Sequence, residues 1–430
     1  MRRESILVFL LLALAAGYSR AQERELKTGI SETGFTPIRL ALPEFAPQSD
    51  ATSVQMASQD LREVVWNDLL FSGYFRLVER AHYALVPAAR GKKIPFEDWE
   101  SIGAEYLFLG QADLEGPRLL VEGRLYDTSH AQMIFGKRYR SEPELFRTVG
   151  HRLADDIVLH FTGRPGIAQS QIAFTAPSGR GKEIYIMDYD GARLRQVTHN
   201  GSLNLSPAWS PDGQQMAFIS FQEGWPRLYL LDRDGKQSRP LPGWDGEMTS
   251  APEWSPDGRW LVVSSNRDGN AEIYKMEVPG GKPVRLTYHR SIDSSPSWSP
   301  TGREIAFTSD RSGSPQIYLM DSEGLNVRRL TPEGEYNDLA AWAPQGDRIA
   351  YAGRDGTFDI YVIQVATQQT QRLTHGPGNN ESPRWSPDGR HLVFSRTLGG
   401  DGVLYAIDAD GGRAQPITHG LIAQSPDWSR

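Results

Sequence analysis

Six tryptophans recur in one local context: Trp209, Trp254, Trp298, Trp342, Trp385 and Trp428, spaced 45, 44, 44, 43 and 43 residues apart. Self-similarity at such a period restricts a chain to a repeat architecture, because each unit must bury its apolar face against its neighbours. The surrounding strings are SPAWSPDG (206–213), APEWSPDG (251–258), SPSWSPTG (295–302), AAWAPQG (340–346), SPRWSPDG (382–389) and SPDWSR (425–430). Each period holds four short strand signals. The tryptophan strand comes first, followed by a turn in which Pro presets φ and Gly supplies a positive φ. A β-rich run such as Ile305-Ala306-Phe307-Thr308 follows, then an Ile/Leu-Tyr strand such as Ile273-Tyr274, and after an Asp/Gly turn a last strand such as Arg329-Leu330-Thr331. Four strands in about 44 residues is the pattern of a β-propeller blade.

The phase of the repeat predicts how the ring closes. The sequence stops just past a first strand, at Trp428-Ser429-Arg430, and the repeat region opens with what reads as a second strand, Gln171-Ile172-Ala173-Phe174. One C-terminal strand and three N-terminal ones therefore complete the last of six blades, so that no edge stays open. The repeated Trp, Pro, Asp and Gly read as structural. Trp209, Trp254, Trp298, Trp342, Trp385 and Trp428 each pack one sheet on the next, and the Asp bonds its own turn. Gly (42) and Pro (28) make up about one residue in six, as such turns require.

Residues 22–165 lack the repeat and read as a small α/β domain. Strands are expected at Leu26 to Ile30, Ile38 to Leu42 and Phe75 to Val78. A helix capped by Ser49 or Asp50 runs to about Phe71, with Val54, Leu61, Val64, Val65, Leu69 and Leu70 on its apolar face and Gly73 as its stop. Phe96 to Ile102 is a short helix before a strand at Tyr106 to Leu109. Leu119 to Tyr126 and Met133 to Tyr139 alternate as a hairpin. A helix starting at Ser141 to Glu144 reaches about Phe161, since Pro143 suits a first helical position. Thr162 to Gly166 is the linker, and residues 166–430 form the propeller.

The first 21 residues read as a signal peptide. Arg2 and Arg3 precede an apolar run from Ile6 to Ala16, too short to span a bilayer, and Ser19-Arg20-Ala21 places small residues for cleavage after Ala21. The chain has no cysteine, which excludes a lipobox, disulfides and thiolate metal sites. The expected product is exported and soluble, with no direct membrane insertion. A formal charge of −7 without a basic excess argues against nucleic acid.

No catalytic constellation emerges. G-x-S-x-G, P-loop, G-x-G-x-x-G, H-E-x-x-H and EF-hand patterns are missing. His199, His289, His375 and His419 share a repeat position, but at the ends of outer strands of four blades they cannot converge on one ion. No cofactor is expected and no metal ligand is assigned, although a carboxylate pair over the channel is a conceivable cation site. A binding role is the default. The segments before each tryptophan line the channel mouth: 202–204, 247–249, 292–294, 336–338, 379–381 and 422–424. Their mixture of small polar, amide and acidic residues with a few apolar ones suits a protein or peptide ligand. The polar stretch Gln22 to Phe35 is either a frayed tail or a segment that docks a partner by coupled ordering. The alternative to a binding protein is a secreted propeller enzyme, a lyase or lactonase-like hydrolase. It predicts His and acidic side chains converging with a metal at the channel mouth.

The order of signal peptide, small α/β domain and six S-P-x-W-S-P-D-G blades resembles the TolB family of the periplasmic Tol-Pal system, over essentially the whole mature chain. Thr36-Pro37-Ile38 and Pro43-Glu44-Phe45 look like the first strands of that family's N-terminal domain. Ala340 to Gly346 departs from the motif by lacking its Ser and Asp. The resemblance implies a monomeric, non-enzymatic adaptor that maintains outer-membrane integrity and helps constriction at division. It further implies that the propeller face binds the lipoprotein Pal, with other outer-membrane lipoproteins and colicins as further partners. Contacts carried over by position fall on Met248, Thr249, Ala251, Asp293 and Ser294, with Asn337, Asp338, Asn380 and Glu381 in the neighbouring loops. The mature N-terminal segment, including Glu25, Leu26, Lys27, Thr28, Gly29 and Ile30, would bind TolA.

Overall fold

A computed structural model describes residues 36–49, 51–87, 93–243 and 248–429. The signal-peptide reading, the strand expected at Leu26 to Ile30 and the whole TolA-type segment fall outside the described residues. The compact unit considered below starts at Ile38.

The first part is a mixed sheet with helices on one face. Strands β1 (Ile38–Ala41), β2 (Ala46–Pro47), β3 (Phe75–Leu77), β4 (Tyr106–Glu115), β5 (Arg118–Asp127) and β6 (Gln132–Ser141) run in the order β3-β1-β4-β5-β6, with β2 also on β4. The pairs made by β1 are parallel and the β4-β5-β6 meander is antiparallel. Helices α1 (Thr52–Phe71) and α3 (Phe146–Thr162) cover one face, and the short α2 (Phe96–Ser101) lies between β3 and β4 in the chain. Val54, Leu61, Val64, Val65 and Leu69 are buried as the pattern of α1 requires, but Leu70 is exposed. The expected cap is also displaced. The residue before α1 is Ala51, which has no capping oxygen, and the Ser49 hydroxyl has no partner. Pro143 opens a 3-10 turn, Pro143–Leu145, and the α-helix proper begins after it. Gly163 ends α3 at φ 69°, a conformation glycine adopts without Cβ strain.

After Gly163 the chain is not a loose tether. Ala168 donates its N–H to Asp155 Oδ1 at 2.8 Å, and Ile167 and Ala168 are buried in the apolar core.

Six four-stranded antiparallel sheets follow among the described residues. The inner strands of blades 1 to 5 are Asn204–Trp209, Thr249–Trp254, Asp293–Trp298, Tyr336–Trp342 and Asn379–Trp385. The sixth, or closing, blade has the order Gln424–Trp428, β7 (Gln171–Ser178), β8 (Gly181–Asp188), β9 (Arg195–Gln196). Its inner strand pairs antiparallel with β7, matching Trp428 to Ile172 and Asp427 to Ala173. The closure expected from the repeat phase is therefore present. Each inner strand packs on the inner strands of its two neighbours, which sets a ring of six around the axis. Every inner strand carries a bulge with a non-glycine residue at positive φ: Ser206, Ala251, Ser295, Leu339, Ser382 and Ser425.

The two parts share one core. Leu61, Val65, Leu69, Leu153 and Ile157 of the helices belong to the same buried cluster as Ile172, Phe174, Met187 and Trp428 of the closing blade. The seam lies at the end of the propeller where the inner strands finish. There Arg390, from the first turn of blade 5, stacks on Tyr74 and donates to the Ser72 carbonyl at 3.2 Å. Phe71 stacks on His391 with ring centroids 4.2 Å apart.

Two outcomes test this seam and this closure. Deleting residues 421–430 removes the strand that covers β7, and melting should fall by on the order of 10 °C or more with loss of a single cooperative transition. His391 provides the second. Burial pushes its pKa down, but Asp388 and Asp408 outweigh burial and raise it above the ordinary 6.5. A raised folded value means the stabilisation is complete below the unfolded pKa and fades as pH rises through the folded one. The stability difference between wild type and His391→Gln should therefore be larger at pH 5.5 than at pH 9, measured by denaturant unfolding.

Candidate functional site

The turns repeat a small hydrogen-bonded unit. Ser210 donates to Asp212 at 2.6 Å, Ser255 to Asp257 at 2.5 Å and Ser386 to Asp388 at 2.5 Å, and each Asp also accepts a backbone N–H two residues on. In the departing blade Ala343 has no hydroxyl to donate, and Gln345 Nε2 instead donates to the Asp388 carbonyl of the next blade at 2.7 Å. The six repeated tryptophans are all at most 9% exposed. Trp254 and Trp385 tie their blade to the preceding one through Nε1 bonds to the Ala208 and Ala341 carbonyls, at 3.0 and 2.9 Å.

A second repeated network joins blades nearer the other end. The residue before the Ile-Tyr pair is an acid or amide, as at Glu183, Glu272, Gln316 and Asp359. The amides of Asn204, Asn337 and Asn380, on the next inner strand, donate to Glu183, Gln316 and Asp359 at 2.8, 2.8 and 2.9 Å. Thr287, Thr331 and Thr374 donate to the same acceptors within their own blades. These acceptors were missed from sequence, although their fixed place before Ile-Tyr marks them.

That network decides where several sequence-chosen residues stand. Asn337, Asn380, Asp293 and Thr249 are at most 3% exposed. Asn337 and Asn380 hold blades together, and Asp293 accepts Arg311 at 2.8 Å while burial pushes its pKa up. None of the four presents a surface to a partner; Thr249 and Asp293 follow from the family resemblance by position, and Asn337 and Asn380 from reading the segment before the tryptophan as a solvated loop. Ala251 is the positive-φ bulge residue of its blade, and Ser294 is half-buried. Asp338 and Glu381 lie half-buried on neighbouring inner strands, where burial first and Asp338 second raise the Glu381 pKa. Met248 is 59% exposed.

Met248 belongs to an arc. Leu203, Met248 and Ile292 each occupy the position just before an inner strand, in blades 1, 2 and 3, and all three are exposed. Their backbones are pinned. Met248 N–H donates to Asn266 Oδ1 at 3.0 Å, and Ile292 N–H to Asp310 Oδ1 at 2.9 Å; the Leu203 carbonyl accepts Phe221 N–H at 3.0 Å. Trp225 and Tyr288 add exposed aromatic surface in blades 1 and 2. Pinned backbones lower the ordering cost of any contact made by these apolar side chains. The arc lies at the end of the propeller away from the α/β domain, since inner strands start there.

The channel is crossed by an ion pair. Arg384 of blade 5 meets Asp427 of the closing blade at 3.2 Å and Glu253 of blade 2, across the axis, at 3.8 Å. Asp427 also accepts the Trp209 N–H at 2.7 Å. His199, His289, His375 and His419 lie beyond the outer strands of four different blades. Among the described residues the one grouping of three ligands spaced for a metal is His151, Asp188 and Asp190, at the seam rather than the channel mouth. No helix among them is long and apolar enough to cross a membrane. Replacing Arg384 with Gln removes the positive charge that faces two half-buried carboxylates, so it should cost about 1–3 kcal/mol of stability by denaturant unfolding. Glu253→Gln on the same background should recover part of that loss.

Comparison with known proteins places both parts. Residues 159–430 match the family model described as the TolB beta propeller domain, and residues 26–134 that of the TolB amino-terminal domain. The Tol-Pal system protein TolB of Roseobacter denitrificans is 40% identical over 273 residues, covering 62% of this chain and 61% of the relative. The protein of the same name from Desulfosudis oleivorans is 36% identical over 233 residues, covering 54% and 53%. The chain thus spans just over half to about three fifths of the length of these curated relatives. The crystal structure of TolB from Acinetobacter baumannii superposes with a TM-score of 0.79 at 28% identity, covering 92% of this chain and 97% of that one.

Proposed function

The chain belongs to the TolB family, whose curated relatives are Tol-Pal system proteins, and from that premise we propose that it is a non-enzymatic periplasmic adaptor. In this reading the propeller rim carrying Leu203, Met248 and Ile292 binds the lipoprotein Pal. Residues 22–33 bind TolA, and the pair of contacts supports outer-membrane integrity during constriction. The observation that carries the reading is the arc of three exposed apolar side chains on pinned backbones. Their chemistry suits a protein surface: large apolar groups with few charges form the centre of an interface, and a rigid backbone lowers the ordering cost of binding. The enzyme reading calls for His and acidic side chains converging at the channel mouth, whereas among the described residues the one such grouping, His151, Asp188 and Asp190, lies at the seam.

The two contacts are coupled in this reading. A segment that either docks on its own domain or engages TolA shifts between two states, and Pal favours the docked one; linkage then requires that each partner change the affinity for the other.

The test combines two changes, with affinities read by calorimetry against purified partners. Met248→Glu and Ile292→Glu should each weaken Pal binding tenfold or more, about 1.4 kcal/mol, with unchanged melting. Deleting residues 22–33 should remove TolA binding and leave Pal binding intact. Unchanged Pal affinity in both rim variants would contradict the rim assignment, and loss of Pal binding in the deletion would contradict the switch.

A further inference from the structure

The seam between α3 and the closing blade buries a histidine that the adaptor reading does not use. His151 is 0% exposed. Its Nδ1 lies 2.8 Å from Asp68 Oδ2, and Asp68 Oδ1 accepts the Tyr189 hydroxyl at 2.6 Å. In the neutral ring a carboxylate on Nδ1 assigns the proton to that nitrogen, and the lone pair is then on Nε2. Nε2 is buried and has no hydrogen-bond partner. It faces Asp188 Oδ2 at 3.8 Å, too far for a hydrogen bond in any protonation state. Asp190 brings a further carboxylate oxygen, and all three donor atoms lie within 4.8 Å of one another.

We propose that His151 Nε2, Asp188 and Asp190 bind one divalent transition-metal cation of the zinc type, clamping α3 to the closing blade. The supporting geometry is that of a carboxylate–histidine–metal relay. Asp68 fixes the tautomer and the ring plane from behind, as the outer carboxylate does in known metal sites. One imidazole and two carboxylates match the ligand preference of zinc and leave a coordination position open for water. Bond lengths of about 2.0–2.2 Å place tetrahedral donors about 3.3 Å apart. Closing from the present spacing moves Asp188 and Asp190 against the bonds they now accept from Arg193, Arg147 and the Ala192 N–H.

Both carboxylates already face a guanidinium: Arg193 donates to Asp188 at 2.6 and 3.0 Å, and Arg147 to Asp190 at 2.5 Å. Each carboxylate oxygen that accepts an arginine N–H keeps a second lone pair for a metal. There is also a way in. His151, Thr148 and Arg193 line the cleft between α3 and the propeller, and Asp190 is partly exposed.

The test uses the full chain, freed of any polyhistidine tag and stripped with chelator, titrated with zinc against a chromophoric competitor and separately with cobalt. The proposal expects one equivalent bound and a visible cobalt absorption band. It expects at least a tenfold loss of affinity in both Asp190→Asn and His151→Gln, and no loss in His199→Gln. Asp190→Asn sits at the edge of the seam and keeps the test interpretable if His151→Gln does not fold. No stoichiometric binding to the wild type, or an affinity unchanged by Asp190→Asn, overturns the proposal.

Discussion

The pairing of Gln424–Trp428 with β7 is the constraint on which the rest of the molecule depends. A ring of sheets is stable only when the last blade meets the first, and here that contact is made by one strand without a covalent link. The same strand has further roles. Trp428 donates to Ser170 at 2.8 Å in the segment after α3, and the apolar face of the closing blade is continuous with the core beneath α1 and α3. Ring closure and attachment of the α/β domain are thus one packing event. The fold has two architectures but a single body.

That arrangement makes the two ends of the propeller unequal. One end meets the helices through Phe71, Arg390, His391 and the buried Asp68–His151–Tyr189 cluster. The axis is bridged by Arg384. At the other end the loop backbones are held by Asn266, Asp310 and Phe221, and among the described residues apolar side chains are exposed there in three consecutive blades.

Much of this was legible in the residues. Tryptophan spacing set the number of blades, and the phase of the repeat set the mode of closure, because a strand missing from one terminus must be supplied by the other. The departure at Ala343 and Gln345 was visible as a motif break, and its compensation by a bond to the next blade was not. The site was less legible. Asn337 and Asn380 sit where a polar residue before a strand reads as loop surface, and Asp293 was placed by family resemblance, yet a propeller buries these positions between blades. Leu203 and Ile292 stayed outside the chosen contacts because a lone apolar residue in a loop carries no periodic signal. Arg384 fills the variable position before its blade's tryptophan, as Glu253 and Asp427 do in theirs, and its partner across the axis is 131 positions away in the chain. His151 lay on a helix with no ligand spacing, since its neighbours at the seam come from β8 and the turn that follows it.

The central claim is that the C-terminal strand closes the ring as an integral part of the fold. Native-state hydrogen exchange of the backbone amides in Gln424–Trp428 and in β7 tests it most directly, compared with the inner and second strands of blade 3. The account predicts that both sets open only with global unfolding and show the same opening free energy and denaturant dependence. Exchange of the closing pair through a low-energy local opening, while blade 3 stays protected, would contradict it.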